Sequence, residues 1–92
     1  MQIYKILCEL MVNIDYLSKL FYSQDYFEGN QLSGKIIKML TKLLSEMGDC
    51  TFSRMIGERL PYLLEYQENN DYIGMADFYI MYLKPACRNF IE

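Results

Sequence analysis

The sequence contains no histidine and no tryptophan. Without imidazole it lacks the commonest general base, nucleophile activator and transition-metal ligand. Helical-bundle di-metal sites take a Glu-x-x-His pair from two of their helices, so that site cannot be built here in its usual form. Glu58, Glu65 and Glu68 read instead as solvated charge on one helix flank. Cysteine is scarce and odd in number, with Cys8, Cys50 and Cys87 and no CxxC spacing. Reduced thiols in a cytoplasmic protein are the expectation. Cys8 and Cys87 lie on or beside apolar stripes and read as inert core thiols, and Cys50, in a loop, reads as the most exposed. Neither the thiols nor Ser18, Ser33, Ser45 and Ser53 have an evident activating base. No glycine-rich loop leads into a lysine-bearing helix, and no apolar run approaches the length of a bilayer span. The start, Met1-Gln2-Ile3-Tyr4-Lys5, lacks the charge, apolar core and cleavage site of a signal peptide. The expectation is a chain that is not an enzyme and uses no cofactor or metal.

Positive charge is also short. The formal net charge is −3 and the pI about 4.9, which argues against nucleic acid and against an anionic membrane surface as partner. Lys35, Lys38 and Lys42 nevertheless form one basic flank at three-four spacing, able to receive an acidic partner or simply to face solvent.

What is present is apolar and aromatic. Of the 92 residues, 52% are apolar, with nine Tyr and five Phe, a composition that folds. The pattern predicts an all-α four-helix antiparallel bundle in a single domain, residues 1–92, built from two related hairpins at about 2–47 and 51–91. Ile3, Leu7, Leu10, Ile14, Leu17 and Phe21 step by four and three through the first helix, over 2–23, with Tyr4, Cys8, Met11 and Tyr22 widening that stripe. Asp25 is placed as N-cap of the second helix, with Glu28 completing a capping box. That helix carries Leu32, Ile36, Met39, Leu43 and Met47, flanked by Ile37, Leu40 and Leu44, and stops at Gly48. The third starts near Thr51 or Phe52, turns Ile56, Leu60 and Leu63 inward, and meets Pro61, where one kinked helix to about Gln67 is expected rather than two. Asp71 caps the fourth, whose inward stripe reads as Ala76, Tyr79, Leu83, Ala86 and Phe90, with a bend at Pro85.

The halves align without gaps at an offset of 46 residues. Tyr16-Leu17 falls on Tyr62-Leu63, Asp25-Tyr26 on Asp71-Tyr72, and Lys38 on Lys84. Amphipathic hairpins share spacings without common origin, but the Asp-Tyr that opens the second helix of each half favours a repeat. Two repeats are too few for a solenoid, so the hairpins are expected to pack face to face.

The stretch Asn70-Asp71-Tyr72-Ile73-Gly74-Met75-Ala76-Asp77, followed by Tyr82-Leu83-Lys84-Pro85, resembles the ending of a family of small helical proteins from clostridial Firmicutes, and Tyr26-Phe27-Glu28-Gly29-Asn30 resembles the start of that family's second helix. Phe78-Tyr79 departs from the acidic residues usual there. The resemblance implies a bacterial helical bundle and no enzymatic chemistry. By size and acidity the chain is also similar to flagellar and secretion-type export chaperones.

Two readings of function follow. In the first, the chain is a non-catalytic interaction module, an adaptor, chaperone or small regulatory subunit. Met75, Phe78 and Tyr82 share a second apolar face of the fourth helix and are its candidate interface with a protein partner or a second copy. In the second, a gap between the hairpins holds a small apolar ligand, with Tyr16, Tyr62, Tyr66 and Tyr79 as its polar handles.

Overall fold

The computed structural model describes residues 3–91, which form four helices and no strand. The expected helix start at residue 2 lies outside them. Helix α1 is Ile3–Tyr22, α2 is Tyr26–Met47 and α3 is Thr51–Glu68. The fourth helix, 72–91, is continuous but has three parts: α4 (Tyr72–Ala76), a π-helical stretch (Asp77–Leu83) and α5 (Lys84–Ile91). At 1.5 Å per residue, α1 would span about 30 Å. The molecule is 34 × 22 × 20 Å, so the helices run along its long axis. Short connections make consecutive helices antiparallel. Around the bundle α1 packs on α2, α2 on α3, α3 on α4, and the fourth helix closes back on α1.

The first and third connections are built alike, position for position at the 46-residue offset. Among the described residues, Gln24 and Asn70 are the two non-glycine residues with left-handed backbone, at φ 61° and 56°. Each ends a helix in a Schellman turn. The Asp25 N–H donates to the Leu20 carbonyl and the Asp71 N–H to the Tyr66 carbonyl, both at 2.8 Å. The Gln24 N–H donates to Phe21 and the Asn70 N–H to Gln67. Both aspartates then cap the next helix as expected: Asp25 Oδ1 accepts from the Glu28 N–H at 3.4 Å, and Asp71 Oδ1 from the Gly74 N–H at 3.0 Å. The reciprocal half of a capping box is absent, because the Asp25 N–H is already committed to the Schellman turn.

The correspondence continues inside the bundle. Tyr26 and Tyr72 stack on each other with ring centroids 4.1 Å apart and planes 8° from parallel. Ser33 and Tyr79, also 46 apart, are hydrogen-bonded in the core at 2.6 Å. Equivalent residues touch only near an axis relating the halves, so the bundle has an approximate two-fold running between α2 and the fourth helix.

The core takes Leu7, Leu10, Ile14 and Leu17 from α1, Ile36, Leu40 and Leu43 from α2, and Phe52, Ile56 and Leu63 from α3. Tyr4, Cys8 and Tyr22, expected to widen the first stripe, are exposed. Helix α3 runs unbroken through Pro61. In the fourth helix the buried residues are Met75, Phe78, Tyr79, Leu83 and Cys87, while Ala76 and Ala86 are half-buried and Phe90 is exposed. Met75, Tyr79, Leu83 and Cys87 are spaced by four. In a straight α-helix each such step overshoots a turn by about 40° and carries the stripe off the core. The π-helical stretch, whose last bond runs from the Lys84 N–H to the Tyr79 carbonyl, widens the turn and brings it back. It ends just before Pro85, which has no N–H to continue the ladder.

Candidate functional site

This register revises the candidate interface. Met75 and Phe78 are buried, so Met75, Phe78 and Tyr82 do not form a free surface. Tyr82, half-buried, donates its hydroxyl to the Met55 carbonyl at 2.9 Å, and the Arg59 guanidinium lies 4.9 Å from its ring centre. All three residues bind the fourth helix to its own bundle. Heptad spacing placed them outward because it took the helix as regular α throughout.

The four candidate handle tyrosines are not brought together as one set: Tyr62 and Tyr66 share a groove, and Tyr16 and Tyr79 lie elsewhere. Tyr79 is fully buried on the axis. Its burial pushes the phenol pKa up. Gln67 Oε1 accepts from the Ser33 hydroxyl at 2.6 Å, which uses the only proton Ser33 has, so Tyr79 donates to Ser33 Oγ. Ser33 and Gln67 were not expected in the site. The signal was a serine inside an apolar stripe, at the repeat offset from a tyrosine. Tyr16 and Tyr62, equivalent under the two-fold, lie in equivalent grooves of different hairpins and cannot face one gap.

Those two grooves differ in filling. The groove of the first hairpin is about 590 Å3, lined by Tyr16, Leu20, Glu28, Gln31, Leu32, Gly34, Lys35 and Lys38. Its counterpart is about 180 Å3, lined by Arg59, Tyr62, Tyr66, Gly74, Asp77, Phe78 and Tyr82. Leu20 becomes Tyr66, Leu32 becomes Phe78 and Ile36 becomes Tyr82 at the 46-residue offset, so aromatic rings occupy in the second hairpin what aliphatic side chains leave open in the first. Gly74 permits this: a Cβ there would lie 2.8 Å from the Tyr66 ring.

A third groove lies beside the turns, between α1 and the start of the fourth helix. It measures about 230 Å3 and is lined by Ser18, Phe21, Tyr22, Tyr26, Tyr72, Ile73, Ala76, Asp77 and Ile80. The stacked Tyr26 and Tyr72 form part of it, and Phe21 packs on both rings with centroids 6.2 and 5.9 Å away. Gly29 gives Phe21 its place, since a Cβ there would clash with Phe21 Cε1. Tyr22 and Ile73 stand at the rim, 84% and 78% exposed. Neither was expected there: Tyr22 was read as widening the inward stripe of the first helix, and Ile73, at the start of its helix, has no periodic signal of its own.

The thiols divide differently from expectation. Cys8 is exposed, Cys50 half-buried and Cys87 buried. Burial pushes the Cys87 thiol up to about 12. Cys50 is the N-cap of α3, and hydrogen bonds from the Ser53 hydroxyl and then the Ser53 N–H hold its pKa below the usual thiol value. Among the described residues no group of three or more His, Cys, Asp or Glu side chains is placed to hold a metal ion, and no helix is long and apolar enough to cross a membrane. No protein-family model, curated protein or solved structure matches the chain.

Proposed function

We propose that the chain is a non-catalytic protein-interaction module, of the adaptor, chaperone or small regulatory subunit kind, and that it binds its partner through the groove beside the turns. The observation that carries this reading is the exposure of Tyr22 and Ile73 over an apolar groove whose floor is a packed set of three aromatic rings. Exposed aromatic and aliphatic side chains on a rigid base are what interface hot spots are made of. The small-ligand alternative is favoured less. The tyrosines that would serve as its handles do not share one gap, and the groove between α1 and the fourth helix is smaller than the roughly 300–1,000 Å3 common for ligand pockets. At about 230 Å3 this groove suits the insertion of one or two partner side chains. The resemblance to clostridial helical proteins is the ground for placing the module in a bacterial cytoplasm. The test is quantitative affinity capture from native lysate with the tagged chain and with a Tyr22→Ser/Ile73→Ser variant, after urea unfolding has established that both fold equally well. A partner held by the first and lost from the second supports the reading. Equal recovery of the same proteins by both refutes it.

A further inference from the structure

We infer that the groove between α1 and α2 receives an acidic polypeptide segment that inserts an aromatic side chain. The two-fold supplies the first argument. The same groove in the second hairpin is filled by that hairpin's own rings, Tyr66, Phe78 and Tyr82, with a guanidinium laid over the last. The groove of the first hairpin keeps the backbone frame and lacks the rings. At about 590 Å3 it has room for an aromatic side chain and the backbone carrying it.

Charge supplies the second argument. Lys35 and Lys38 line the groove, Lys42 follows on the same flank of α2, and Lys19 lies three residues after Tyr16 on α1. The ion pairs among the described residues are Arg54–Asp49 and Lys84–Asp15, so none of these four ammonium groups is paired with a described carboxylate. Glu28, the one carboxylate in the lining, lies in the first turn of α2, at the opposite end of the groove's α2 wall from Lys38. A positive strip on a chain of net charge −3 is a local feature, matched to a locally acidic partner. Cations beside an inserted ring also repeat the Arg59–Tyr82 contact of the second hairpin. The inference rests on the reading of the chain as an interaction module but uses a different surface from the groove beside the turns.

The test is 15N chemical-shift mapping of the whole chain at low salt, titrated with a short peptide of Glu and Asp carrying one central Phe. Saturable shifts at Tyr16, Leu20, Gly34, Lys35 and Lys38 are expected. Replacing the peptide's Phe by Ala should weaken binding about tenfold. Lys35→Glu/Lys38→Glu should abolish it, and added salt should weaken it. Leu32→Phe, which installs the ring that Phe78 supplies in the other hairpin, should close the groove and also abolish binding. The charge-reversed pair is solvent-facing and keeps the test valid if Leu32→Phe folds poorly. Equal binding of a peptide with Lys in place of its acids would overturn the inference. So would unchanged affinity of the charge-reversed variant, or tighter binding of an oligothymidylate than of the peptide. Shifts confined to Tyr22, Ile73 and Ile80 would overturn it as well, and would move the acidic partner to the groove beside the turns. Peptide binding that survives while Tyr22→Ser/Ile73→Ser changes nothing in lysate capture would reject the proposed function of that other groove alone.

Discussion

The hydrogen-bond chain on the two-fold axis sets an order among substitutions that simple truncation size does not. Tyr79 donates to Ser33 Oγ at 2.6 Å, and Ser33 donates to Gln67 Oε1 at 2.6 Å. Tyr79→Phe keeps the ring and its packing and leaves Ser33 still bonded to Gln67. Its expected cost is the net worth of one hydrogen bond, about 0.5–1.5 kcal/mol. Ser33→Ala likewise removes a single oxygen but strands a buried phenol, whose remaining acceptor is the Ser33 carbonyl at 3.4 Å. An unsatisfied buried donor costs about 1–3 kcal/mol, so the smaller side chain should give the larger loss. The double variant removes donor and acceptor together. It should cost less than the sum of the singles, with a coupling of about 0.5 kcal/mol or more. Urea unfolding followed by far-ultraviolet circular dichroism measures all three. The reasoning fails if Tyr79→Phe costs as much as Ser33→Ala, or if the two losses simply add.

Four further outcomes are expected. Phe78→Ala should destabilise by about 3–5 kcal/mol, as for a core ring, with the mass in sedimentation unchanged; a loss below 1 kcal/mol would contradict its burial. Asp71→Ala should cost about 1 kcal/mol in the same assay, the ordinary value of an N-cap. Gly29→Ala forces the Phe21 ring off α2, and should cost about 1–3 kcal/mol and change the near-ultraviolet dichroism of the tyrosines stacked beneath it. Stability should also fall in alkali. Burial pushes the Cys87 thiol up from the ordinary thiol range to about 12, and raises Tyr79 too. The folded chain keeps protons that the unfolded chain releases, so their contribution is whole below about pH 9 and lost as the pH climbs through 12. Cys87→Ala should flatten that slope in urea midpoints measured from pH 8 to pH 11, and an identical slope would count against the burial of the thiol.

The four helices, their approximate limits and the caps at Asp25, Gly48 and Asp71 could be read locally, whereas Cys50 as the cap of α3 could not. Asp25 and Asp71 cap because a short carboxylate meets free N–H groups a few bonds away, and Gly48 ends α2 because it takes the positive φ of 72° without strain. The 46-residue repeat was also legible, since Asp-Tyr pairs and apolar spacings are properties of the chain itself. What that repeat does in space was decided by packing. Only the folded bundle puts Tyr26 on Tyr72 and Ser33 on Tyr79, and only there do Tyr16 and Tyr62 prove to line separate grooves rather than one gap. The outward assignment of Met75 and Phe78 went wrong for a physical reason of the same kind. A period of 3.6 fixes which residues share a face as long as the hydrogen-bond ladder is regular, and the π-helical stretch changes the ladder. That change gains nothing locally. It is stabilised by burying Met75, Phe78, Tyr79 and Leu83 against three other helices, a contribution that exists only once those helices are in place.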